Sequence, residues 1–175
     1  MRRLMFALVA GALPVLALAG ATVTVAAPTA HQPDGEHAAW VTIEGSVAGG
    51  VQAAEFYQPL TFVFTEKNKG PRPVFDDVVL TQLVSNDLTA SSCVLPGGAL
   101  INPDARPSAR SAAAAASWTG LSFCEPGELD HGQTATMIVN TRVNNEADHI
   151  SARACVLNEN TGAIGPCLTL FVKQR

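Results

Sequence analysis

The sequence has 175 residues, of which 47% are hydrophobic and 15% are charged, and its net charge is -4. The length corresponds to about one domain. A mildly acidic chain without basic clusters argues against nucleic-acid binding and against attachment to an anionic membrane surface, because both need clustered cations. With 6% aromatic residues, a surface dedicated to stacking sugars or bases is also disfavoured.

The first 27 residues have the pattern of a secretory signal peptide. Arg2 and Arg3 precede an apolar run over 4–19. Small residues in the spacing of a signal-peptidase cleavage site follow between 17 and 27, which predicts cleavage within 19–27. The alternative is an uncleaved anchor, since about 20 apolar residues can span a bilayer. The presence of several candidate cleavage sites, and the lack of charged residues that would stop transfer through the membrane, favour cleavage. Removal of 1–27 leaves 148 residues, in which nine basic side chains oppose fifteen acidic ones.

The mature part begins with a polar, turn-rich stretch, which we interpret as a flexible leader over 28–38. The domain is predicted over 39–175, with short strand-like segments separated by Gly, Pro and Asn turns. In chain order they are 40–44, 60–65, 78–83, 121–124, 134–143, 148–157 and 167–173. This pattern, without a convincing amphipathic helix, predicts an all-β chain folded as an immunoglobulin-like antiparallel β-sandwich.

The four cysteines all lie in the mature part, and their even number in an exported chain predicts two disulfides. In 148–157, Cys155 lies opposite the apolar face, and in 167–173 Cys167 does the same. Because a loop joins these segments, they are predicted to form a hairpin whose polar side brings the two cysteines together. Cys155 is therefore predicted to pair with Cys167, which leaves Cys93 to pair with Cys124.

The segment 97–117 departs from the strand pattern, because it is rich in Ala, Pro and Ser. Its alanine run favours a helix but is too short to hold one alone in water. We interpret it as an inserted loop tethered near its ends by Cys93 and Cys124. It is either a partner-binding loop, as long loops often are, or neutral low-complexity sequence.

Two stretches resemble a known family. Asn68-Lys69-Gly70-Pro71, the apolar 78–80 and Leu88-Thr89 resemble the opening of the conserved-repeat domain of unknown function in bacterial and archaeal surface proteins. The stretch 124–136 is similar to that family's Gly-x-Leu-x-x-Gly-x-x-Ala-Thr turn and strand. The resemblance covers about 56–173 and implies a bacterial, immunoglobulin-like spacer or adhesive module at the cell surface. It brings no catalytic residues.

Candidate reactive side chains do not form a recognisable site. The spacing of the cysteines matches neither a zinc site nor a Cys-x-x-Cys redox motif, although a catalytic Cys–His pair is not excluded by spacing. Adjacent carboxylates at 76–77 point to opposite faces of a strand, and no phosphate loop, dinucleotide fingerprint or Gly-x-Ser-x-Gly motif occurs. The alternatives are weak metal binding by His31 and His37, calcium binding by Glu125, Glu128 and Asp130, or a hydrolase built on His131 or His149.

We therefore predict no catalytic residues, no cofactor and no metal site, and a protein that is not an enzyme. The predicted function is that of an exported, immunoglobulin-like module, secreted or at the cell surface, acting in structure, adhesion or protein binding. Its partner is expected to be an unidentified protein or cell-envelope component, contacted through loop ends, exposed sheet faces or edge strands. The alternative is a secreted inhibitor or effector that binds a protein through the disulfide-tethered loop 97–117.

Overall fold

The computed structural model describes residues 40–101, 122–158 and 162–175. The predicted signal peptide and leader, most of the inserted loop and residues 159–161 lie outside this part of the chain. Within it there are ten strands, which are β1 (Val41–Val47), β2 (Ala53–Ala54), β3 (Pro59–Asn68), β4 (Val74–Val84), β5 (Asn86–Val94), β6 (Leu100–Ile101), β7 (Ser122–Leu129), β8 (Thr134–Val143), β9 (His149–Asn158) and β10 (Ile164–Gln174).

The strands form two five-stranded sheets. Sheet 1 has the order β1-β3-β8-β5-β6 and sheet 2 has the order β2-β10-β9-β4-β7. The pairing is antiparallel throughout, except between β2 and β10. The run β1-β3-β8-β5 reproduces the A-B-E-D order of a constant-type immunoglobulin sheet, and β4-β9-β10 reproduces C-F-G. The predicted immunoglobulin-like β-sandwich is therefore confirmed.

The core lies between the sheets and follows the alternation of the sequence. On β3, Leu60, Phe62 and Phe64 are buried, while the residues between them are half-buried. On β8 the predicted face is also buried, at residues Ala135, Met137, Val139, Thr141 and Val143. Because β3 and β8 are central neighbours in sheet 1, one face of each must bury its apolar side chains against sheet 2.

Some details of the sandwich differ from the predictions, among them the short strand β2, which was not predicted. The nine residues of β5 were not predicted as a strand, because Leu88-Thr89 fitted a turn of the resembling family. The fourth predicted strand, 121–124, begins at Ser122 and continues to Leu129, so the turn predicted over 127–132 is confined to the residues after β7. Residues 100–101, within the predicted inserted loop, form β6 and pair with the end of β5.

A buried asparagine closes the turn between β3 and β4. The Asn68 amide group donates to the carbonyl oxygens of Arg72 and Leu129, each at 2.8 Å, and its Oδ1 accepts from the Gly70 N–H at 2.8 Å. A Cβ at Gly70 would lie 2.4 Å from Cγ of Trp40, so the indole packs where only glycine leaves room. The Asn-x-Gly motif is thus required by hydrogen bonding and by close packing.

Candidate binding surface

The two disulfides join the pairs that were predicted from the strand faces. Cys93 on β5 bonds to Cys124 on β7 with a Cα–Cα distance of 5.4 Å, which links the two sheets. Cys155 on β9 bonds to Cys167, its direct partner on β10, with a Cα–Cα distance of 4.1 Å. Both bridges thus hold β strands rather than loops.

Cys155 lies on the side of β9 that the sequence pattern marks as polar; Arg153 on that side is exposed, but Cys155 itself is buried. Cys155 and Leu157 are both 0% exposed, and Ser151 on the same face is 6% exposed. The cause is the position of β9, which lies between β10 and β4 in the middle of sheet 2, so that neighbours flank it on both sides. Cys167, in contrast, is partly exposed.

The predicted histidines and carboxylates lie apart. His131 is exposed, and its Nδ1 is hydrogen-bonded to the carbonyl oxygen of Gly70 at 2.7 Å. His149 makes an edge contact with the ring of Phe171. In the described ranges, no three His, Cys, Asp or Glu side chains are placed to hold a metal ion together, and this includes Glu125, Glu128 and Asp130. His31 and His37 lie outside those ranges.

Only the first residues of the predicted loop 97–117 are described. Gly97 and Gly98 both adopt positive φ values, of 82° and 84°, in a tight turn after β5. Leu100, which follows in β6, is 68% exposed. Residues 102–117 lie beyond the described part, so a role of this loop in binding stays a prediction.

Two aromatic rings are exposed at the end of the sandwich where β2 passes into β3. Phe56 is 43% exposed and Tyr57 is 65% exposed, and their ring centroids are 4.0 Å apart. They lie in the tight turn 55–58, which is next to the connections after β4 and β8. We call this end of the sandwich, consisting of residues 55–58, Ser85 and 144–148, the aromatic pole.

Backbone hydrogen bonds hold the aromatic pole in place. Tyr57 N–H donates to the carbonyl of Val143 at 3.1 Å, and Val143 N–H donates back to Gln58 at 3.2 Å. Asn144 N–H donates to the carbonyl of Ser85 at 3.2 Å. Tyr57 and Ser85 both have a φ of 62°, a left-handed conformation that is uncommon for residues other than glycine. Such conformations persist only where the surrounding structure enforces them.

The charges around the aromatic pole are mixed. Of the described residues, four exposed carboxylates lie at this end or beside it, and three exposed cations accompany them; they are Glu55, Asp87, Glu146 and Asp148 with Arg142, Lys173 and Arg175. Asp87 accepts a hydrogen bond from the amide group of Asn144. No single sign of charge dominates, so the distinguishing property of this surface is its exposed aromatic area.

The aromatic pole was not predicted from the sequence. Phe56 and Tyr57 lie between two strands, and the alternation that marks strand faces does not extend to a four-residue turn. The available signal was the pair of adjacent aromatics bounded by Glu55 and by Gln58-Pro59, which places two large rings in a turn.

Comparison with known proteins gives structural likeness without sequence likeness. No protein-family model and no curated protein sequence matches the chain. Among solved structures, the C-terminal domain of the Streptococcus pyogenes antigen I/II-family protein AspA has 9% identity and a TM-score of 0.49, over 78% of this chain and 53% of that chain.

Two further structures are similar to the chain at the same level. AvmM, which catalyses macrocyclisation in alchivemycin A biosynthesis, has 11% identity and a TM-score of 0.45 over 75% of this chain and 88% of its own. The collagen-binding domain of a Staphylococcus aureus adhesin has 7% identity and a TM-score of 0.42, over 77% and 97%. Likeness this low carries no inference about function, and the fold assignment rests on the chain's own strand order.

Proposed function

We propose that the protein is an exported, non-catalytic immunoglobulin-like module that binds a protein partner at the cell surface or outside the cell, and that the aromatic pole is its contact surface. The observation that carries this proposal is the pair of exposed rings, Phe56 and Tyr57, on a turn fixed by backbone hydrogen bonds. The membership in the conserved-repeat family that the sequence suggests is part of the same proposal.

Two physical effects support this proposal: the burial of the exposed rings by a partner, and the preformed backbone of the turn. The free energy falls when a partner covers apolar rings that were exposed to water. Aromatic residues are also enriched in the cores of protein interfaces. Since the turn is already held by Val143 and by the hydrogen bond from Glu55 N–H to Gln58 Oε1, binding does not need to order the backbone. A preformed surface loses less conformational entropy on association.

Export is supported by the disulfides. Two bridges in a domain of this size are typical of oxidising, extracytoplasmic compartments, and they agree with the signal peptide predicted over 1–27. None of the helices in the described ranges has the length and apolar character needed to cross a membrane.

Replacing both rings by serine tests the contact surface. The variant Phe56→Ser/Tyr57→Ser is expected to bind its partner at least about tenfold more weakly, because burying one large aromatic side chain stabilises a complex by roughly 1.5–3 kcal/mol. The measurement is cross-linking of purified protein to the culture fluid and envelope fraction of the producing organism. Proteins cross-linked by the parent chain are quantified for the variant.

Leu100→Ser is the matched control, because it also removes an exposed apolar side chain. Leu100 lies on β6, opposite Val94 at the end of β5 that is remote from the aromatic pole. It is expected to keep the cross-linked partner. Equal recovery by the Phe56/Tyr57 variant and the parent would contradict the proposal.

Loss of binding only in Leu100→Ser would support the second candidate function, an inhibitor or effector that acts through the tethered loop. The specific observation that favours this candidate is the 68% exposure of Leu100, next to a segment whose ends are joined by the Cys93–Cys124 bridge.

Export itself predicts a change in mass. Protein recovered from outside the cell is expected to lack the first 19 to 27 of the 175 residues, because signal peptidase cuts after a motif of small residues. Intact-mass spectrometry of secreted and cell-associated protein measures the difference. Secreted protein that retains residue 4 or earlier would show that the segment is not a cleaved signal.

A further inference from the structure

We propose that the Cys155–Cys167 bridge is a thiol-exchange site, open at Cys167 to low-molecular-weight thiols, whereas the Cys93–Cys124 bridge is closed to them in the folded protein. The sequence has no Cys-x-x-Cys motif, so such a site is not evident from spacing. The topology creates it, because β9 and β10 place the two cysteines directly opposite each other.

The first observation is a difference in exposure among the four cysteines. Cys93, Cys124 and Cys155 are 0%, 1% and 0% exposed, and Cys167 is the partly exposed one. Exchange proceeds by attack of a thiolate on one sulfur of the bridge, so its rate depends on access to that sulfur. Of the two bridges, only Cys155–Cys167 contains a cysteine that is partly exposed.

The second observation is a cation beside the accessible sulfur. The Arg153 guanidinium Nη2 lies 3.5 Å from Sγ of Cys167. Arg153 pairs with Thr169 across the β9–β10 ladder, so its backbone is fixed next to the bridge. A guanidinium at this distance attracts an incoming thiolate and stabilises the Cys167 thiolate once it is released.

The exchange runs in two balanced steps. A thiolate of the small molecule attacks Sγ of Cys167; the bond between the two cysteine sulfurs breaks, and the Cys155 thiolate that leaves takes up one proton, equal to the proton that the small-molecule thiol lost on ionisation. A second small-molecule thiolate then attacks the small-molecule sulfur of the mixed disulfide. The Cys167 thiolate leaves beside Arg153, and the two small molecules depart joined by a disulfide. They are oxidised by two electrons, and these two electrons reduce the bridge of the protein.

The fold is expected to survive this reduction. Besides the cysteine pair, β9 and β10 share seven registered residue pairs, from Ile164 opposite Leu157 to Lys173 opposite His149. The link between the two sheets through Cys93 and Cys124 is retained. The site can therefore change between disulfide, mixed disulfide and dithiol while the sandwich stays folded.

Differential alkylation tests the proposal. The purified, oxidised protein is incubated without denaturant with reduced glutathione, quenched with iodoacetamide at set times and mapped by peptide mass spectrometry. Cys167 is expected to be labelled or glutathionylated at least about tenfold faster than Cys93 and Cys124, because exchange follows access. Far-UV circular dichroism on the same samples is expected to remain unchanged.

Two variants test the role of Arg153. Arg153→Gln removes the charge and is expected to slow the exchange about threefold or more, while Arg153→Lys keeps a cation and is expected to retain most of the rate. Equal reaction rates for Cys167 and for Cys93 and Cys124, faster reaction of Cys93 and Cys124, or reaction of Cys167 only when circular dichroism shows unfolding would each overturn the proposal. Equal rates for the parent and Arg153→Gln would overturn the part assigned to Arg153.

Discussion

Replacing Phe62 by alanine is expected to lower the free energy of unfolding by about 3–5 kcal/mol, the usual range for removing a buried phenylalanine ring. Phe62 is 0% exposed and lies at the centre of β3, between Val47 of β1 and Val139 of β8. Because β8 is also held by its ladder with β5, the space left by the ring does not close fully. Urea denaturation followed by circular dichroism measures the change.

Val63→Ala is the matched control for this substitution. Val63 is the next residue of the same strand, but it points away from the core and is only half-buried. Its truncation is expected to cost about 1 kcal/mol or less, since few methyl groups leave an apolar environment. Similar losses for the two variants would show that the core does not lie on the face of β3 that carries Phe62.

Replacing Asn68 by alanine is expected to lower the free energy of unfolding by about 2–4 kcal/mol, because buried polar groups left without partners cost roughly 1–3 kcal/mol each. The substitution removes the two hydrogen bonds to the carbonyls of Arg72 and Leu129 and the one from Gly70 N–H. Asn68 is 0% exposed, so water does not readily replace them. Thermal and urea unfolding measure the loss.

Two companion substitutions separate hydrogen bonding from other effects at Asn68. Asn140→Ala makes the same chemical change at a half-buried position whose Oδ1 accepts one hydrogen bond from Thr61 at 2.7 Å, and it is expected to cost about 1 kcal/mol. Asn68→Asp keeps the size but directs a carboxylate oxygen at two carbonyls, so it is expected to be at least as harmful as Asn68→Ala. A mild Asn68→Asp phenotype would contradict this account of the turn.

The fold was predictable where one strand face is buried and the other is not. On β3 and β8 the apolar residues recur at every second position, as two half-buried strands require. The same alternation put Cys155 and Cys167 on corresponding faces of adjacent strands, which was enough to pair all four cysteines. Alternation of apolar and polar residues indicates which face of a strand is buried, and the buried face determines both the strand packing and the cysteine pairing.

Patterning fails where a strand does not have one buried and one exposed face. β5 has an irregular register with β8 between Leu88 and Ala90, and its side chains are mostly small, with buried, half-buried and exposed positions in no regular order, so it carries little alternation. β9 is buried on both faces from Ala154 to Leu157, so its side near Cys155 looked polar in sequence yet is not solvent-facing. The aromatic pole was missed for a related reason, because exposure of Phe56 and Tyr57 depends on how β2, β3 and β8 meet.

The bridge between β5 and β7 also determines how the molecule responds to tension. Cys93 and Cys124 are separated by 31 residues in sequence, and none of that chain can be drawn out while the bridge is intact. At about 3.5 Å for each extended residue, the bridge shortens the greatest length of a stretched molecule by roughly 100 Å. Once unfolded by tension, the chain therefore extends only through the residues outside this loop, less the 12 residues that the Cys155–Cys167 bridge also closes off.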